Sequence, residues 1–178
     1  LAGCKPNEVI LDAFCGIGTF LQEAMLLDFK TLGTDIDKLA ISGAEKNLEW
    51  FRNRYKVAKG KYHLETSDAK TVSTIVANLK RIGAFKIVSA IVTEGTLGPL
   101  YGKYPPPAEI AANFKNLLDL YTDCFAEFSK FLENKGKIVM CLPAYKKNMS
   151  VYEMFPSLDF ALNNGYTVVD ILPKAIAE

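Results

Sequence analysis

Two glycines one residue apart, Gly16 and Gly18, join an apolar run to a segment of helical period, and few folds begin in this way. Residues 9–14 read V-I-L-D-A-F, with Pro6 before them and Cys15-Gly16-Ile17-Gly18 after them. A short unbroken apolar run between turn signals predicts a strand buried on both faces, as in a parallel sheet, rather than an alternating surface strand. Past the turn, Phe20, Leu21, Ala24, Met25 and Leu27 recur at three-to-four spacing, which predicts a helix. A parallel strand must return through a crossover, so strand, glycine loop and helix open a β/α unit.

The alternation repeats along the chain. Residues 31–35 read as a strand, 36–55 as an amphipathic helix, 62–66 as a weaker strand, 72–79 as a helix and 86–93 as a strand rich in Ile and Val,. A loop with Gly95, Gly98, Gly102 and Pro105-Pro106-Pro107 leads into a long helix carrying Ile110, Phe114, Leu117, Leu118, Tyr121, Phe125, Phe128 and Leu132, with Gly136 as its stop,. Residues 138–142 read as a strand, 151–162 as a helix, and 166–172 as a last strand after Asn163-Asn164-Gly165,. Six such units predict an α/β fold, Rossmann-like and doubly wound, with a mostly parallel sheet between two helical layers. The 178 residues, about half of them apolar, make one domain, residues 1–178,.

The remaining composition narrows the function. A net charge of +1 without a basic tail gives no reason to expect strong, independent nucleic-acid binding,. Cys4, Cys15, Cys124 and Cys141 are scattered, and one histidine is too few for a zinc cluster, so no metal site and a reducing setting are expected,. No run approaches the roughly 20 apolar residues of a membrane span and no signal peptide opens the chain, so a soluble, cytoplasmic protein is expected. The chain begins at Leu1 with a six-residue lead into the first strand, and reads as a piece of something longer.

The glycine turn is the candidate ligand site. Glycines allow a backbone geometry and a close ligand approach that a Cβ would block, although a purely structural turn would use them too. A dinucleotide fingerprint needs a third glycine at position 21, where this chain has Leu21,. Asp12 beside the turn would attract an α-ammonium or a sulfonium and repel a pyrophosphate. This chemistry favours S-adenosylmethionine over NAD. In Gly33-Thr34-Asp35-Ile36-Asp37, Asp35 ends the second strand, where an acid can chelate two ribose hydroxyls,. Asp37 can cap the next helix, and Ile36 is placed to pack on an adenine. In Ser67-Asp68-Ala69, Asp68 can accept a hydrogen bond from the adenine amino group, or act as a helix cap,.

These residues resemble a family. D-A-F-C-G-I-G-T-F-L-Q-E-A, then G-T-D-I-D with Asn47 ten residues beyond Asp37, is similar to the class I methyltransferases among the THUMP-associated RNA methylases, especially the tRNA guanine N2-methyltransferases. The resemblance covers essentially the whole chain. It implies a cofactor pocket of Asp12, Phe14, Cys15, Gly16, Gly18, Thr19, Asp35, Ile36, Asp68 and Ala69, with S-adenosylmethionine as cofactor and S-adenosylhomocysteine as product. It also implies an RNA substrate, tRNA first, with help from a separate N-terminal RNA-binding domain.

The chain departs from that family at the fourth strand, where the pattern is D-P-P-Y or N-P-P-Y. Here Thr93-Glu94-Gly95-Thr96-Leu97-Gly98-Pro99 stands instead. Glu94 takes the place of the amine acceptor, with Thr93, Gly95 and Leu97 as the rest of the catalytic frame. The missing prolines are expected to loosen the loop, and Leu97 cannot stack on a base as tyrosine does; Tyr101 or Tyr104 would have to do so. The reading from another class is a cofactor-binding module that no longer catalyses and serves as a scaffold. An NAD-dependent oxidoreductase ranks third. His63 is expected on a strand surface, and Lys56, Lys59 and Lys61 on a solvated face.

Overall fold

In the computed structural model, which describes residues 2–58, 60–85 and 87–169, the apolar runs become five parallel strands. They are β1 (Val9–Asp12), β2 (Lys30–Asp35), β3 (Tyr62–Thr66), β4 (Val88–Glu94) and β5 (Leu132–Cys141), in the order β3-β2-β1-β4-β5. The chain winds outward from β1 through β2 to β3, then restarts on the other side of β1 with β4. The order therefore reverses between β1 and β4, which opens a crevice at their carboxyl ends.

Helices α1 (Thr19–Leu26) and α2 (Lys38–Tyr55) cover one face, where Leu21, Met25, Leu48 and Phe51 form a buried cluster. Helices α3 (Val72–Arg81) and α4 (Pro107–Phe128) cover the other, packing Val72, Val76, Leu117, Tyr121, Phe125 and Phe128 against Leu11, Val88 and Ile91. Burying a Leu, Val or Phe side chain contributes about 1.5–3 kcal/mol, so these two faces hold the three layers together. No helix of the described residues is long and apolar enough to cross a membrane.

Three parts of the chain differ from the sequence expectation. Residues 151–162 are not one helix: β6 (Ala144–Lys146) and β7 (Tyr152–Met154) form an antiparallel hairpin, and only α5 (Asp159–Leu162) is helical. Pro156 interrupts the apolar period, and the Asn148 side chain accepts from Ser150 N and Val151 N, 3.1 and 3.0 Å, to make the hairpin turn,. Helix α4 ends at Phe128, short of Gly136, which lies inside β5. There five steps along β5, from Leu132 to Lys137, oppose two along β4, from Val88 to Ala90, so the glycine serves a strand irregularity rather than a helix stop,. Residues 166–169 form no strand, and the rest of the expected last strand lies outside the described residues. Among the described residues the sheet has five parallel strands. Lys61 also differs, with its side chain largely buried and its Nζ 2.6 Å from Asp28 Oδ1 and 2.8 Å from Asn7 Oδ1. Lys59 lies outside the described residues.

The buried Glu127 of α4 supplies a cap that α3 lacks. The N-cap Thr71 contributes no side-chain bond, and Glu127 Oε1 accepts from Ser73 N at 2.9 Å, while Oε2 pairs with Lys130. Burial pushes its carboxyl up, but the bonds from Lys130 and Ser73 outweigh this and hold it below the ordinary carboxylate range. Its stabilising contribution is present above the unfolded-state value and is lost as pH falls through the folded one. Glu127→Ala is expected to destabilise the fold by about 1–3 kcal/mol, read as a lower denaturant midpoint at pH 7.

Candidate active site

The glycine turn is held from three directions. Cys15 N donates to Thr34 O at 2.9 Å, Gly16 N donates to Asp35 Oδ2 at 2.8 Å, and Asn47 Nδ2 of α2 donates to Ile17 O at 3.0 Å. Gly16 and Gly18 both have positive φ, 51° and 87°, but serve different ends,. A Cβ on Gly16 would stand in open space beside the loop, whereas one on Gly18 would meet Ala44 Cβ of α2 at 3.4 Å. Gly16 leaves room for a ligand, and Gly18 lets two helices approach.

Three carboxylates stand at the ends of the neighbouring strands β2, β1 and β4. Asp12 ends β1 and is 2% exposed; its Oδ1 accepts from Thr93 Oγ1 of β4 at 2.6 Å and from Phe14 N at 3.2 Å. Asp35 ends β2, accepting from Gly16 N on one oxygen and from Asp37 N at 2.9 Å on the other. Glu94 ends β4 and is exposed. Burial pushes the Asp12 carboxyl up to about 6; the bonds from Thr93 and Phe14 oppose this, and the charges of Asp35 and Glu94 add to it. A carboxylate crowded in this way is relieved by a cation.

That arrangement carries a pH prediction. The Asp12 value is raised on folding, so its contribution to stability is full below the unfolded value and is lost as pH rises through about 6,. A cationic ligand draws on the ionised form, so its affinity should change in the opposite sense, falling by up to about tenfold per unit as pH drops below about 6,. Calorimetric titrations across that range should show this slope for the native chain and lose it in Asp12→Asn.

The remaining candidate residues are divided between the crevice and the core. Thr19 is exposed at the start of α1, Ile36 is 70% exposed just past Asp35, and Phe14 is half-buried at the turn. Asp37 caps α2 by accepting from Leu39 N at 2.8 Å, which leaves Asp35 to the turn. Two side chains do not face the crevice. Cys15 packs with Leu21 and Met25, and Ala69 lies in the core cluster beneath α3 and α4. Asp68 accepts from Lys70 N at 2.9 Å and caps the short 3₁₀ turn Ala69–Thr71.

The loop after β4 is pinned rather than loose. Tyr121 of α4 donates its hydroxyl to Thr96 O at 2.7 Å, and Asn113 Nδ2 donates to Leu97 O at 3.4 Å and to the Tyr145 hydroxyl on β6. Two α4 side chains therefore do what the missing prolines were expected to do. The helical period of α4 includes Tyr121, which is fully buried in the core as well as bonded to the loop, but nothing in that period marks Asn113, a polar residue that turns inward.

No protein-family model matches the chain. The fold is shared with the TehB-like SAM-dependent methyltransferase of Corynebacterium glutamicum, with a TM-score of 0.55, 18% identity, and coverage of 91% of this chain and 67% of that one. This likeness establishes the Rossmann-like fold and nothing narrower. In sequence the chain is 40% identical over 102 residues to the tRNA (guanine(10)-N2)-dimethyltransferase of Methanocaldococcus jannaschii, a match that covers 57% of this chain and 26% of the relative. It therefore spans about a quarter of that relative's length. A probable tRNA (guanine(10)-N2)-dimethyltransferase of Methanothermococcus thermolithotrophicus is 31% identical over 121 residues, 67% of each chain. With the glycine turn, the strand-end acids and this coverage together, the chain belongs to the tRNA (guanine(10)-N2)-dimethyltransferase family.

Proposed function

We propose that this domain transfers a methyl group from S-adenosylmethionine to the exocyclic N2 amine of a guanine in tRNA. The observation that carries the reading is the placement of Asp35, Asp12 and Glu94 at the carboxyl ends of the adjacent strands β2, β1 and β4, beside the open Gly16 turn. The crevice fits the cofactor: a Cβ at Gly16 would occupy free space, and the surrounding charge is negative, which suits an ammonium and a sulfonium and opposes a dinucleotide's phosphates,. Asp35 would hold the ribose hydroxyls, Ile36 would pack on the adenine, and Asp12 would balance the positive charge. Asp68 would receive the adenine amino group if its cap to Lys70 N tolerates a second donor,.

When bound, the cofactor supplies a sulfonium-activated methyl group that an amine takes by in-line displacement, leaving S-adenosylhomocysteine. The protein's own part is positioning and proton removal. Glu94 would accept a hydrogen bond from the target amine, orient its lone pair and take the proton it sheds. Tyr121 and Asn113 would keep the loop behind Glu94 in register by holding Thr96 O and Leu97 O.

The relatives are named as methyltransferases, and no observation favours the inactive-scaffold reading. We place the reaction in the cytoplasm, a reading supported by four free cysteines,. The net charge of +1 supports a need for a separate RNA-binding domain,. Incubating the chain with labelled cofactor and tRNA transcripts, then digesting to nucleosides, should place the label in N2-methylated guanosine. Label in another nucleoside would overturn the substrate assignment.

A further inference from the structure

The loop that follows Glu94 lines a cavity of its own, from Leu97 onward. Residues 97–105 form one wall and residues 143–146, running into β6, form the other, with about 410 Å³ of open-sided space between them. A space of that size suits a compact ligand. Three tyrosines stand in it, Tyr101, Tyr104 and Tyr145, all half-buried. Lys103 and Lys146 stand at its rim, both exposed.

The aromatic wall is fixed. The Tyr145 ring lies between Tyr101, 5.8 Å away and edge-on, and Phe114 of α4 at 5.3 Å, and its hydroxyl accepts from Asn113, the residue that also holds Leu97 O. The same α4 side chain thus ties this wall to the loop behind Glu94. Tyr104 donates to Glu153 of β7, with Lys147 Nζ 6.0 Å from its ring. Two acids, Glu153 and Glu109, lie near the tyrosines, the first engaged by Tyr104 and the second beside Tyr101.

Flat aromatic faces with lysines at the rim are what an unpaired nucleotide requires: its base stacks without regard to sequence, and its phosphates meet positive charge. A bound peptide would pair with a strand edge, and β6, three residues long, gives such an edge little length. We infer that the cavity receives an unpaired nucleotide flanking the one presented to Glu94, its base on Tyr101, which Tyr145 braces edge-on, and the phosphates on its two sides on Lys103 and Lys146. This inference rests on the reading of the chain as an RNA methyltransferase. It gives the loop's missing aromatic, at Leu97, a substitute displaced to the neighbouring nucleotide.

The test is binding of a fluorescein-labelled single-stranded oligoribonucleotide of mixed sequence to the 178-residue chain, followed by anisotropy at several salt concentrations. Tyr101→Leu should weaken binding roughly five- to hundredfold. Lys103→Ala with Lys146→Ala should lower the slope of log affinity against log salt by about 1.4, the loss of two phosphate contacts. S-adenosylmethionine affinity, measured by calorimetry on the same variants, should not change, which also shows that they fold. Variants that bind the oligoribonucleotide as the native chain does would overturn the inference and leave the methyltransferase reading standing. So would a native chain that binds the cofactor but no RNA even at low salt, where phosphate contacts are strongest, or a duplex that competes as well as a single strand. A chain that binds no cofactor would instead overturn the reading beneath it.

Discussion

Glu94→Ala should abolish methyl transfer while leaving cofactor affinity where it was. Glu94 is exposed at the end of β4 and bonds to no other side chain of the described residues, so its removal costs the fold little. What is lost is the acceptor that orients the target amine and removes its proton, contributions worth about 10²–10⁴-fold in rate. Glu94→Gln separates the two, since it keeps an acceptor oxygen but takes no proton. A turnover intermediate between native and Glu94→Ala would show that positioning and proton removal both matter. Transfer unchanged in Glu94→Ala would remove Glu94 from the mechanism.

Asp35→Ala should cost the chain its cofactor. The carboxylate joins Gly16 N at 2.8 Å to Asp37 N at 2.9 Å, so it shapes the turn as well as offering its remaining lone pairs to a ribose. Losing a charged acceptor with two such bonds corresponds to about 3 kcal/mol or more, roughly a hundredfold weaker binding. Asp35→Asn should fall between, because its one carbonyl can serve one donor. Thermal unfolding of both variants beside the native chain shows whether the loss belongs to the site or to the fold; an unchanged affinity would mean that the ribose is held elsewhere.

Much of this was legible in the residues because parallel strands buried on both faces leave continuous apolar runs, and glycine turns leave gaps that no other residue can imitate. Residues 62–66 coincide with β3, and Asp37 caps α2 as its spacing indicates. The hairpin of β6 and β7 was not legible. Three-residue strands around an Asn148 turn have too few positions to show a period of two, and Val151, Met154, Phe155 and Leu158 imitate a helix despite Pro156. At the site, Asp12, Asp35 and Glu94 could be read from their places at strand ends. The contacts between elements could not: Thr93 on Asp12, Asn47 on Ile17, and Asn113 and Tyr121 on the loop join residues 16 to 81 positions apart. Gly33 was passed over, though an isolated strand glycine signals close approach. A Cβ there would stand 2.4 Å from Leu21 Cδ1, so this glycine lets α1 settle onto β2.

The most direct test of the whole account is a calorimetric titration of the native chain with S-adenosylmethionine, S-adenosylhomocysteine and NAD at pH 7.5, above the Asp12 transition at about 6. The account predicts micromolar binding of the first two and none of NAD. Binding of NAD without S-adenosylmethionine would contradict it, because the three carboxylates would then be facing a pyrophosphate rather than a cation.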